Sequence, residues 1–343
     1  MRYQLERYLS QYKLGRPVIA PSGREGAFDR LAVDVPVPFR HAGKCYMMHV
    51  GFDGKGYQTA LCVAQDDSLL SWKQLGVILP RGEAGAWDAV GRAGTCILCD
   101  DALFSPREAK KIGGKYWLFY HAYPGEGYEV GPAQIGLAWT EDEDLLHWHC
   151  LEEPIYSWKD GADWECGGLY KCHVVEDGGQ YYMFYNAKNR TDGRWHEQTG
   201  CAISPDLREW RRAPGNPCLP VSENGWDSAF ASDPVVLRDA EKGLWVMYYF
   251  GFDYRHAQEG IAFSEDLLHW HKHPEPVLRA GAAGELDCVH AHKPGLLWHN
   301  GALYHFYCAV RPSQTEQEKA SFGAEHRVLT VARSVPWDER VSS

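Results

Sequence analysis

The sequence predicts an all-β chain, a five-bladed β-propeller of four-stranded blades. Three observations predict it: a repeated strand motif, a strand-forming composition, and a strand missing at one terminus that reappears at the other. Four segments end alike, QDDSLLSW at Trp72, EDEDLLHW at Trp148, SPDLREW at Trp210 and SEDLLHW at Trp270, and a degenerate fifth, ARSVPW, ends at Trp337. Such internal similarity marks repeat folds, in which each unit buries its apolar face against the next. The 343 residues include 14 Trp, 19 Tyr and 12 Phe beside 35 Gly and 19 Pro, a mixture that favours short strands and tight turns.

Each copy has the same order of elements. A first strand opens the unit, as in the PVPFR run after Asp34 or PVVLR after Asp233. A glycine-rich turn leads to the second strand, which reads GKCYMMHV, GKYWLFYHA, GQYYMFYNA, GLWVMYYFG and GALYHFYCA in the five copies. A loop and a third strand precede each tryptophan, with β-branched and aromatic enrichment throughout. Residues 76–79, 153–156, 216–219 and 275–278 supply fourth strands, and the last copy has none. Arg16-Pro17-Val18-Ile19 is the missing piece, so the N-terminal strand is expected to close the ring, which removes exposed strand edges. Residues 1–14 precede the ring as an extension, expected as a short helix on its surface. Residues 1–343 form one domain.

Charge and composition bound the function. A formal net charge of −11 argues against nucleic acid and anionic membrane surfaces. No run of about 18 apolar residues exists to span a membrane, and MRYQLERYLSQYKL at the start lacks the apolar segment of a secretory signal. Eleven cysteines without a regular framework point to reduced thiols and a cytoplasmic location. Cys96 and Cys99 form a lone C-x-x-C that reads as strand rather than as a metal site. No cofactor is expected, and no ligand spacing supports an axial divalent cation. Oligomeric state is not legible.

Registers across the copies nominate site residues. Fifteen residues before each second strand stand Asp29, Asp100, Glu165, Asp227 and Asp287. A carboxylate repeated in every unit reads either as a ring at the mouth of the central funnel or as a structural turn residue. Its symmetry favours structure, with Glu165, the one Glu of the set, as the exception. Gln58, Gln134, Gln198 and Gln258 repeat before the third strands, and His326 replaces them in the last copy, where it is a ligand-contact candidate. Five residues after the acidic register the copies diverge into Asp34, Ser105, Tyr170, Ser232 and His292, followed by Val35, Pro106, Lys171, Asp233 and Lys293. Unlike polar residues at the start of the innermost strand suit a substrate site, because packing would repeat an apolar residue. Asp34, Asp233 and His292 are therefore the catalytic candidates from spacing alone. Tyr170, His290 and Lys293 are further substrate contacts.

Paired carboxylates amid aromatics are the minimum for glycoside cleavage, one protonated and one ionised. No G-x-S-x-G, H-E-x-x-H, P-loop or Rossmann glycine pattern competes. The pattern W-[DE]-x5-[DS]-P-x-V, then G-x-Y-Y-M-F-Y, then G-x-A-x-S-x-D-L-x-x-W resembles the five-bladed glycoside hydrolases of families 43, 32 and 117, over about residues 16–337. That resemblance implies Asp34 as base or nucleophile. Trp164-Glu165-Cys166 resembles the W-E-C-P motif of family 32, whose Glu is the general acid, with Gly167 in place of the Pro. His292, in Val289-His290-Ala291-His292-Lys293-Pro294, is similar to the last-blade histidine acid of family 117. Together these imply an exo-acting glycosidase on short oligosaccharides, with Glu165 or His292 as acid and Asp233 orienting. Two alternatives stand: a phosphorylase like those of family 130, drawing on Lys171, Lys293 and Arg107, and a non-catalytic sugar-binding propeller.

Overall fold

A computed structural model describes residues 4–338. Its strands fall into successive antiparallel meanders. Unit I comprises Ala32–His41, Lys44–Phe52, Tyr57–Ala64 and Trp72–Leu79, and unit II Ala93–Ile97, Tyr116–Ala122, Gln134–Thr140 and His149–Cys150. Unit III runs through Leu169–Asp177, Gln180–Thr191, Arg194–Ser204 and Arg211–Arg212, and unit IV through Phe230–Asp239, Leu244–Phe252, Ala257–Ser264 and His271–Lys272. Unit V holds His290–His299, Ala302–Pro312 and Glu325–Arg333, and its outer edge is the N-terminal pair Tyr12–Lys13. Val18 and Ile19 extend that edge, with the Val18 amide donating to Leu329 O at 2.8 Å.

The apolar cores lie between units and not within them. Phe39, Met48 and Leu61 of unit I pack with Leu118 and Tyr120 of unit II; Phe119 and Leu137 pack with Cys172, Met183 and Tyr185; Phe184 and Cys201 pack with Val236 and Tyr249. Leu237 and Tyr248 pack with Leu296 and Leu303, and Phe306 and Val331 of unit V pack back onto Val33 and Met47 of unit I. The inner strand of each unit touches that of the next, and that of unit V touches that of unit I. The sheets thus form a closed ring of the β-propeller type.

The tryptophan motif is a turn lock. In four of the five copies a buried leucine takes a left-handed conformation (Leu69, Leu145, Leu207 and Leu267, φ 59°, 57°, 70° and 67°). The following indole donates back to that leucine's carbonyl, at 2.9 Å for Trp72, 2.8 Å for Trp148, 2.9 Å for Trp210 and 3.0 Å for Trp270. A non-glycine residue at positive φ is uncommon, and burial of the leucine with this indole bond over-determines the turn.

Two expectations need revision. The outer strands of units II to V are interrupted: a two-residue ladder is followed by a single bridge at Tyr156, Leu219, Leu278 or Ile19. A proline stands between the two pieces each time (Pro154, Pro217, Pro276 and Pro17), and proline has no N–H for the ladder. The N-terminal segment is a surface helix only in small part. Leu5–Tyr8 is one 3-10 turn, Tyr8 is buried, and its hydroxyl donates to Asp239 at 2.9 Å, while Tyr12–Lys13 already belongs to the sheet. Residues 1–3 of that extension lie outside the described residues.

Candidate active site

Each inner strand breaks its register near its start: between Asp34 and Val37, Gly94 and Cys96, Tyr170 and Cys172, Ser232 and Val235, and His292 and Gly295. In units I, IV and V the bulged residue has positive φ (Val35 51°, Asp233 53°, Lys293 64°) and precedes Pro36, Pro234 or Pro294. A bulge re-aims side chains, and a proline there costs no ladder bond. The breaks turn Asp34, Tyr170, Lys171, Asp233, His292 and Lys293 toward one axial cavity of about 350 Å³, walled by all the units. That size is ordinary for a small-molecule pocket.

Four carboxylates line the cavity, Asp34, Glu129, Glu197 and Asp233, and so do four cations, Lys171, Lys188, Lys293 and Arg327. Asp34 is fully engaged: Oδ1 accepts from the Val35 amide at 2.9 Å and Oδ2 from Lys293 Nζ at 2.6 Å. Burial pushes its pKa up, but Lys293, His292 and Arg327 outweigh that and hold it well below the carboxylate range. Glu129 faces Lys188 Nζ at 3.2 Å. Burial again raises, while Lys188 and Lys293 prevail, so it stays ionised below its ordinary value. Its side chain is 25% exposed against 4% for Asp34, and one oxygen remains available to a ligand.

Glu197 has the opposite character. Its Oε2 accepts from Asn186 Nδ2 at 3.0 Å and Ser232 Oγ at 3.1 Å, which leaves Oε1 as the seat of a proton. Burial lifts its pKa to about 7, opposed by Lys188 and reinforced by the charges of Glu129 and Asp233. Asn186 Nδ2 also donates to Asp233 Oδ1 at 3.2 Å, tying the two acids together. Asp233 is raised too, chiefly by burial against the pull of Lys171 and Lys293. Aromatic walls complete the pocket: Tyr57, Tyr123, Tyr128, Tyr170, Trp195 and Phe250. Such faces suit a sugar ring.

Several expected site residues lie elsewhere. Glu165 is fully buried outside the cavity, gripped by Arg212 Nε at 2.8 Å, Tyr185 Oη at 2.6 Å and the Ala162 amide at 2.8 Å. The same clasp recurs with Tyr249 (3.2 Å) and Lys272 (2.7 Å) on Asp227, and with Tyr307 (2.9 Å) and Lys13 (2.6 Å) on Asp287. Arg212, Lys272 and Lys13 sit opposite Ala202, Ala262 and Ala332, one register in three units. Asp29 is buried with the Ser22 hydroxyl at 2.7 Å. The recurring carboxylates are therefore structural, and Glu165 is no exception. Asp100 is not even a member: it sits in an exposed turn, accepting from the Ala102 amide at 3.1 Å. Asp88, twelve residues earlier, holds the clasp of unit II with Tyr120 (2.9 Å) and Arg92 (2.6 Å). A long connection between Ile97 and Tyr116 displaces the count, and for the same reason Ser105 and Pro106 are not on the inner strand.

His326 stacks on Phe322 at 4.6 Å outside the cavity. His290 and His292 do line it, but His292 cannot be the acid. Burial and Lys293 hold it well below 6.5, and its Nδ1 faces the Cys308 carbonyl at 3.2 Å, so the proton sits there and Nε2 is bare. Glu129, Lys188, Asn186, Glu197 and Arg327 are functional candidates that spacing missed. Glu197 precedes the repeated Gln198, where the other copies have Tyr57, Ala133, Ala257 and a second glutamate, Glu325, so the offset does not single it out.

The family model for the glycosyl hydrolases family 32 N-terminal domain matches residues 105–319, a stretch that includes Glu129, Glu197 and Asp233. The chain belongs to that family. An insoluble β-fructofuranosidase isoenzyme of Arabidopsis thaliana is 23% identical over 231 residues, 66% of this chain and 36% of that protein. Fructan 1-exohydrolase w2 of Triticum aestivum is 33% identical over 182 residues, 50% of this chain and 30% of its own length. The chain spans about a third of the length of these curated relatives. Among solved structures, one described as a BT0996 RGII complex superposes with a TM-score of 0.81 at 30% identity, covering 96% of this chain and 93% of that one. A thermostable family-43 glycoside hydrolase superposes at 0.61 with 17% identity, covering 89% and 91%, a likeness of fold alone. The family 32 assignment does not carry its W-E-C glutamate into the pocket here, because Glu165 is held in the clasp.

Proposed function

We propose that this chain is a glycosidase that removes a terminal sugar from a short oligosaccharide, with Glu197 as general acid and Glu129 as its ionised partner. The observation that carries this is the division of labour inside one cavity. Burial holds Glu197 protonated up to about pH 7, while Lys188 and Lys293 keep Glu129 ionised. Groups pushed apart in this way are the acid and base of glycoside cleavage. Glu197 Oε1 would give its proton to the leaving oxygen. Glu129 would attack the anomeric carbon or activate a water against it. Asp34, with both oxygens occupied, fixes Lys293 in place of reacting, and Asp233 sets the charge of Glu197 through Asn186. A pocket walled on every side fits a chain end, which supports exo action.

The phosphate-using alternative keeps Lys171 and Lys293 in the cavity but not Arg107. Arg107 lies outside the cavity, beside His173 Nε2 at 3.4 Å, and Lys293 is neutralised by Asp34. The test is turnover of fructans, furanosides and pyranosides by the purified chain with and without phosphate. Release of sugar without phosphate supports hydrolysis. Strict phosphate dependence, or binding without turnover, sinks it.

A further inference from the structure

The second and third strands of unit III, Gln180–Thr191 and Arg194–Ser204, run 12 and 11 residues, against 9 and 8 in unit IV and 7 and 7 in unit II. Their hairpin therefore projects past its neighbours at the mouth of the cavity. Lys188 pairs with Glu197 and Arg190 with Trp195 across the ladder, and residues two apart on a strand share a face. The catalytic wall thus continues outward from Lys188 and Glu197 to Arg190 and Trp195. Trp195 is 37% exposed and lines the cavity. The Arg190 guanidinium lies 4.7 Å over the Trp195 ring.

On the other face of the hairpin the Arg194 guanidinium lies 5.0 Å over Tyr254 of unit IV, whose hydroxyl donates to Trp195 O at 3.0 Å. Arg255 follows Tyr254 and is exposed. Arg190, Arg194 and Arg255 make no ion pair among the described residues, although the nearby acids Asp192 and Asp253 are at hand. Asp253 instead caps its own turn, accepting from the Arg255 and His256 amides at 2.9 Å each. Three arginines without an ion pair thus stand on or beside this hairpin, Arg190 on its cavity face, Arg194 on the other face and Arg255 next to Tyr254, on a chain of net charge −11. Stacking on an aromatic ring fixes a guanidinium plane while leaving its N–H groups free, and that fork matches a carboxylate bidentately.

We infer that this rim binds the part of the substrate outside the pocket, and that this part is an acidic glycan carrying uronate carboxylates. The inference rests on the glycosidase reading of the pocket but is tested by binding alone. Trp195 offers a sugar-stacking face, and Arg190, Arg194 and Arg255 read the charge beyond it.

The experiment uses the full chain carrying Glu197→Gln, which cannot turn over ligand. Calorimetry would compare a short oligogalacturonate with its methyl ester of equal length, which has the same rings without the charge. The acid form is expected to bind about tenfold more tightly at low salt, the gap closing as salt rises. Arg190→Gln/Arg194→Gln/Arg255→Gln, whose sites are exposed, is expected to erase the gap without lowering the melting temperature. Equal binding of the two forms, no measurable binding of the acid form, or a gap that survives the triple substitution would each overturn it. A charge preference in a chain whose unmodified form releases no sugar would support the rim and strike the glycosidase reading instead.

Discussion

At the scale of single residues, burial and charge decide which of many acids can react. Glu197→Gln keeps the Asn186 and Ser232 contacts but has no proton to give, and turnover is expected to fall about 10²–10⁴-fold with little change in melting temperature. Glu129→Gln should do the same, measured on the same substrate. The pH profile follows from the signs. Glu197 must be protonated and sits near 7, so the rate should be high below that value and decline as pH rises through about 7. Glu129 lies below its ordinary value and sets only the acid limb. A rate that climbs through pH 7 to 9 would exclude Glu197 as the acid. Asp34→Asn is expected to act differently, because it strands the buried Lys293 ammonium: breaking such a pair costs about 3–5 kcal/mol, visible as a lower denaturant midpoint.

At the scale of elements, in units III to V the clasp of tyrosine, carboxylate and cation pins the sheet's outer edge to the loop before its inner strand. Tyr249→Phe removes one donor from buried Asp227 and should cost about 1–3 kcal/mol in urea unfolding without touching KM. An unchanged midpoint would mean that the clasp is not holding the unit. The strand motif, the tryptophan locks and the clasp's acidic register are legible in the sequence because each recurs at a fixed offset. Symmetry itself is the correct clue that Asp227 and Asp287 are structural, and Glu165 misleads because a Glu in place of Asp looks like a departure. Asp88 is hidden by the long connection after Ile97. Glu129 and Glu197 are illegible for a deeper reason. Their chemistry arises from burial and from Lys188, which approaches from a neighbouring strand or unit. The divergent inner-strand register does point at the cavity, through Asp34, Tyr170, Asp233, His292 and Lys293.

At the scale of the whole molecule, the ring is closed by a few N-terminal residues. Lys13 completes the clasp of unit V from the other end of the chain, and Tyr8 anchors the segment on unit IV. Removing the chain through Ile19 should expose the Glu325–Arg333 edge, lower the melting temperature and promote association, read by thermal unfolding and gel filtration. An unaltered elution volume with equal stability would show that closure contributes nothing. The axial cavity depends on all the units, so that truncation should also cost activity.

The most direct measurement compares two glutamates side by side: sugar release without phosphate by the unmodified chain, by Glu197→Gln and by Glu165→Gln. With Glu197 as the acid, the unmodified chain and Glu165→Gln turn over at a temperature where both are folded, and Glu197→Gln does not. Full activity in Glu197→Gln with loss in a folded Glu165→Gln would contradict that assignment, returning the acid to the W-E-C motif.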